Sequence, residues 1–119
     1  MNRLLWIILI IYPMAVGAGQ ILFKLASQRL RPDQPIWVQA TEPMLVAAVA
    51  LYGALAVVWI LIIRELPLSA AYPFVALSFV FTPIFAWLLL GEKLNPSYMI
   101  GIAFICAGVI ITQRAVHAI

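Results

Sequence analysis

Four long stretches without a single charge dominate this chain and leave little choice of fold. They are Leu4–Phe23, Met44–Ile63, Leu68–Leu90 and Leu94–Thr112. A hydrocarbon core about 30 Å thick is crossed by roughly 20 apolar residues in helical form. Inside lipid every backbone N–H and C=O must be satisfied within the chain, so an uncharged run of this length is a helix. The expected fold is an all-α membrane protein, a single domain over residues 1–119 with spans of about 4–26, 43–63, 68–90 and 95–113.

Composition supports this reading. Hydrophobic residues make up 66% of the 119 and charged residues only 9%, against about a quarter charged in a soluble domain. The net charge of +3 reflects a shortage of acids. The basic residues flank the apolar runs and form no clustered patch of the kind that binds nucleic acid. Cys106 is the only cysteine and His117 the only histidine, which excludes a disulfide framework and a thiol-rich metal site. No phosphate-cradling loop, nucleophile–base pair or cofactor motif is present, so the chain reads as a non-enzyme. The first 19 residues have the basic start and small residues of a cleaved leader. Apolar character continues through Phe23, which favours a retained helix.

The connections carry turn signals. Residues 27–43, "SQRLRPDQPIWVQATEP", read as a polar loop whose "PIWV" could lie at the headgroups. Ser69 is expected to cap the third span and Gly91 to end it. With both termini on one side, that side holds Arg3, Arg64 and Arg114, and the other Lys24, Arg29, Arg31 and Lys93. Three against four gives insertion almost no bias. Either the chain inserts both ways or pairs with an inverted partner, or folding or Arg3 selects one orientation.

Polar groups within the spans are few. Pro13, Gly17, Gln20 and Lys24 share one helical face by their spacing. Lys24 falls near the headgroup boundary, with Gln20 about 6 Å deeper. Two readings stand for this pair. Lys24 could simply snorkel and Gln20 bond a neighbouring helix, or together they could hold an anionic headgroup. In the third span Tyr72, Ala76, Phe79 and Pro83 share a face. Tyr72 could bond a phosphate or a sugar hydroxyl, Ser78 and Thr82 could line a cavity, and Pro83 could act as a hinge. Gly101 and Gly108, seven residues apart, with Ala107 beside them, suit a helix–helix interface. Trp6, Trp37 and Tyr98 suit the membrane interfaces, while Tyr52, Trp59 and Trp87 are assigned no ligand.

These motifs, taken together, resemble the small multidrug resistance superfamily of the drug/metabolite transporter group. "AGQILFKLA" and "LPLSAAYPFVALSFV" are similar to the aminoarabinose–undecaprenyl phosphate flippase subunits, and "GEKLNPSYMIGIAFICAGV" is typical of the wider group. The resemblance implies an antiparallel dimer, homomeric or with a paralogue, meeting through Gly101, Ala107 and Gly108. It also implies lipid transport in a bacterial inner membrane, of a lipid-linked sugar phosphate, with Lys24, Gln20, Tyr72, Gly17 and Ser78 as candidate substrate-binding residues. Proton-coupled exchangers of this superfamily depend on a first-span glutamate eight residues before the lysine, a position that is Val16 here, and no span contains an acid. An aromatic kept three residues after the span-three tyrosine in the exchangers is Val75. The implied activity is therefore a flippase for an anionic lipid. Export of small cations and a non-transporting accessory role are the alternatives.

Overall fold

The computed structural model describes residues 3–118, with side chains through residue 116. The side chain of His117 lies outside the described residues. Six helices follow in order: α1 (Arg3–Arg29), α2 (Ile36–Gln39), α3 (Pro43–Glu65), α4 (Leu68–Val75), α5 (Ser78–Leu90) and α6 (Pro96–Ala118). No strand occurs among the described residues. α1, α3, the α4–α5 pair and α6 are each long and apolar enough to cross a membrane. Ser27, Gln28 and Arg29, expected in the first loop, instead extend α1.

Local chemistry sets the helix ends. Pro43 occupies the first turn of α3, and Glu42 caps it by accepting the Leu45 N–H at 2.9 Å. The same carboxylate lies 3.6 Å from Arg29, tying the end of α1 to the start of α3. A negative group is also favourable at a helix N-terminus. α4 corrects the sequence reading, because its cap is Pro67 and Ser69 lies inside the first turn. The Pro67 carbonyl accepts from Ala70 and Ala71, so the first helical bonds form before Ser69 could cap. Gly91 ends α5 at φ +71°, a left-handed conformation that favours glycine. At the start of α6, Asn95 Oδ1 accepts the Tyr98 N–H at 2.8 Å.

The third span is interrupted at Ala76–Leu77. There the N–H groups of Ala76, Leu77, Phe79 and Val80 bond carbonyls three residues back at 2.9–3.1 Å, a tighter turn than an α-helix makes. Pro73 and Pro83 flank it. Each lacks an N–H and crowds the preceding turn, which weakens the regular ladder on both sides.

α1 is the central element and packs against α3 and α5, whereas α6 touches only α4 and α5 among the described residues. Leu9, Ile62, Ala71 and Phe74 form the buried core, with Tyr12, Val58 and Trp59 packed against it. Gly17, Gly19, Ala48 and Ala86 are also buried. Small residues let backbones approach closely, the main source of helix association where lipid removes the hydrophobic drive. The outer faces are apolar: Phe104 is 74% exposed and Leu89 69%. Lipid, rather than water, is the solvent that such faces require.

Candidate functional site

The face of α1 that carries Pro13, Gly17, Gln20 and Lys24 changes character along its length. Pro13 and Gly17 are buried. A Cβ at Gly17 would stand 3.2 Å from Phe85 and from Thr82 Oγ1, so α1 and α5 are in close contact there. One turn on, Gln20 is exposed and Nε2 donates to the Tyr52 phenol at 2.5 Å. That phenol in turn donates to the Val16 carbonyl at 3.2 Å. The Tyr52 ring lies against Gly19, where an added Cβ would meet it at 2.5 Å, and its centroid is 5.0 Å from that of Phe23.

Lys24 is exposed and has no carboxylate within ion-pair distance among the described residues. Glu42, at the same end of the bundle, is engaged by Arg29 instead. The Lys24 ammonium is therefore available to an external anion, although Lys24 lines neither of the cavities that follow.

The first cavity, about 380 Å³, is bounded by α1, α5 and the start of α6. Val16, Phe79 and Pro83 give it apolar walls, and Gln20, Ser78, Thr82 and Tyr98 place an amide and three hydroxyls in it. The second, about 510 Å³, lies between α4 and α6 and is nearly all apolar; Tyr72, Ala76 and Gly108 are among its walls. The interruption at Ala76–Leu77 thus divides the predicted span-three face. Tyr72 and Ala76 turn to one cavity, Phe79 and Pro83 to the other. No carboxylate lines either cavity, and no cluster among the described residues could hold a metal ion.

Of the predicted site residues, Gln20, Ser78 and Pro83 are brought together, with Gly17 packed beside them through Thr82. Tyr72 is separate and Lys24 lies outside. Gly101, Ala107 and Gly108 are exposed on α6.

Tyr52 and Tyr98 were not singled out by sequence reasoning. A signal existed for Tyr52. It and Trp59 are the only residues of Met44–Ile63 with polar side-chain atoms, and a phenol in hydrocarbon needs a partner. Tyr98 had no such signal, since interfacial placement explains it equally well.

Residues 3–114 match the EamA-like transporter family. The chain belongs to that family. Among curated relatives it is similar to the probable 4-amino-4-deoxy-L-arabinose-phosphoundecaprenol flippase subunit ArnE of Salmonella paratyphi C. The two are 32% identical over 111 residues, covering 92% of this chain and 96% of the relative. The subunit of the same name from Salmonella enteritidis PT4 is 34% identical over 89 residues, covering 65% and 80%. That from Salmonella newport is 38% identical over 63 residues, covering 53% and 57%. No solved structure matches. As an EamA-like transporter with four apolar spans, the protein is an integral membrane protein. Its polar cavity brings Gln20, Ser78, Thr82 and Tyr98 together within the spans.

Proposed function

We propose that this EamA-like transporter moves an anionic lipid, a polyprenyl-phosphate-linked sugar, between the leaflets of a bacterial inner membrane, working as a dimer. The observation that carries this reading is the cavity lined by Gln20, Ser78, Thr82 and Tyr98, neutral and hydrogen-bonding, with Lys24, unpaired among the described residues, one turn beyond Gln20 on α1. Hydroxyls and an amide suit a sugar, and an ammonium suits a phosphate. At about 4 Å an ammonium–phosphate pair gains roughly 4 kcal/mol at an effective dielectric near 20, and less where water and salt screen it. That holds a headgroup at the membrane edge without trapping it.

The relatives named as flippase subunits support the same cargo class. The absence of any carboxylate from the cavity lining disfavours a cation exporter that relies on a negative cage. It also leaves facilitated movement down a gradient as the simplest energetics. In this reading the two copies of Lys24 in an antiparallel dimer face opposite leaflets, and Pro83 lets the third span flex between them. No bond is made or broken.

Reconstitution into vesicles tests the proposal. The purified protein should equilibrate a polyprenyl-phosphate sugar across the bilayer, Lys24→Gln should slow this about ten-fold or more, and Gln20→Leu should weaken it. Full transport by Lys24→Gln would remove the phosphate-capture role. Uptake of a small organic cation driven by a pH gradient would favour the exporter reading instead.

A further inference from the structure

The hydrogen bonds around Tyr52 fix more than a helix contact. A phenol has one proton to donate and lone pairs to accept with. The Tyr52 proton is directed to the Val16 carbonyl at 3.2 Å. With that proton given to Val16, the phenol oxygen accepts from Gln20, and the amide turns Nε2 to it at 2.5 Å. The opposite rotation would leave Oε1 and the Val16 carbonyl competing for the one phenol proton. The phenol itself is held firmly, its ring seated where Gly19 leaves no room for a Cβ and packed on Phe23.

One consequence reaches the cavity. With the nitrogen committed to Tyr52, Oε1 of Gln20 has no protein partner among the described residues, on a side chain that lines the cavity. The hydroxyls of Ser78, Thr82 and Tyr98 can each donate or accept. The carbonyl oxygen of Gln20 can only accept, and it is the single side-chain atom of the lining with that fixed polarity. We infer that Tyr52 is a positioning residue, holding Gln20 with its acceptor oxygen free, so that the cavity selects headgroups that donate a hydrogen bond from a hydroxyl or N–H. A headgroup offering only acceptors, such as a bare phosphate diester, gains nothing from that oxygen. This inference rests on reading the cavity as the headgroup site of a lipid carrier.

The test uses the full chain in nanodiscs, titrated with two probes by native mass spectrometry: a polyprenyl phosphate carrying a hexose, and a polyprenyl phosphate methyl ester. Wild-type protein should prefer the hexose lipid. Tyr52→Phe keeps the ring but not the phenol oxygen. It should weaken hexose-lipid binding about three- to ten-fold, the worth of one hydrogen bond, while binding of the methyl ester stays unchanged. Equal loss for both probes would mean a merely structural Tyr52, and no loss for either would mean no role; both overturn the inference. A second measurement stands apart from lipid binding. The side-chain amide ¹⁵N–H resonances of Gln20, assigned by comparison with Gln20→Leu, should shift in Tyr52→Phe, and resonances that stay in place overturn the inference. Failure of wild-type protein to bind either lipid, with the amide shift present, would overturn both the lipid-carrier reading and the selectivity drawn from it, leaving only the fixed amide.

Discussion

Gln113 Nε2 donates to the Ala70 carbonyl at 2.8 Å, joining α6 to α4, while Oε1 of the same amide is buried with no partner among the described residues. The two halves of this side chain oppose each other energetically. A made hydrogen bond contributes about 1 kcal/mol, and an unmade buried acceptor costs about 1–3 kcal/mol. Gln113→Leu keeps most of the volume and removes both. Its thermal midpoint in detergent should equal or exceed that of the wild type. Gln113→Ala, which leaves a void as well, should fall below it. Unfolding followed by size exclusion after heating distinguishes the two orders.

Gly17 and Gly19 face α5 and α3 at different clearances, which predicts different outcomes for the same substitution. An alanine Cβ at Gly19 would lie 2.5 Å from the Tyr52 ring, so the ring must move and its bond to Gln20 breaks. The overpacking should cost about 2 kcal/mol and lower the thermal midpoint. At Gly17 the nearest atoms are 3.2 Å away, a shift of a few tenths of an ångström. The roughly 1 kcal/mol gain in helix propensity from glycine to alanine offsets much of that strain. Gly17→Ala should therefore remain near wild-type stability, and measuring the two alanine variants side by side checks the ranking.

How far the sequence could be read follows from which interactions are local. The four spans were legible because uncharged length alone dictates them, and Gly91 because a left-handed helix end calls for glycine. The polar face of α1 was legible as a face but not as a site. Whether Gln20 meets a helix or a cavity depends on Tyr52, 32 residues away in sequence, and it turns out to do both. The interruption at Ala76–Leu77 was not legible, since neither residue breaks helices. It arises between two prolines ten positions apart, and it sends Tyr72 and Phe79 to different cavities. Ser69 illustrates a competing signal: a good capping residue loses the position when the Pro67 carbonyl starts the helix first.

The left-handed Gly91 gives a local prediction. Its φ of +71° is disfavoured by roughly 1–2 kcal/mol for a residue with a Cβ, although nothing lies within 4 Å of where that Cβ would be. The penalty for Gly91→Ala should therefore be purely conformational, lowering stability by about 1 kcal/mol. Gly91→Asn should lose less, because asparagine tolerates this region better. Equal losses for the two variants would point to a steric cause instead.

The exposed glycines of α6 allow dimerisation to be tested separately from folding. At Gly101 and Gly108 an added Cβ would meet nothing within 4 Å, and Ala107 beside them is also exposed. Among the described residues α6 touches only α4 and α5, and it adds little to the buried interior beyond Ile102 and the Gln113 amide oxygen. A large residue on this surface should leave the single chain folded, with a thermal midpoint close to that of the wild type. Between two chains the same residue would hold apart backbones that small residues otherwise let meet. In the proposed dimeric lipid carrier, Gly108→Leu should thus shift dimer to monomer in cross-linking and single-molecule photobleaching, and reduce lipid movement in vesicles in proportion. A dimer fraction unchanged by Gly101→Leu and Gly108→Leu together would place the interface on another face, and loss of transport with the dimer intact would assign these glycines to the apolar cavity that Gly108 lines.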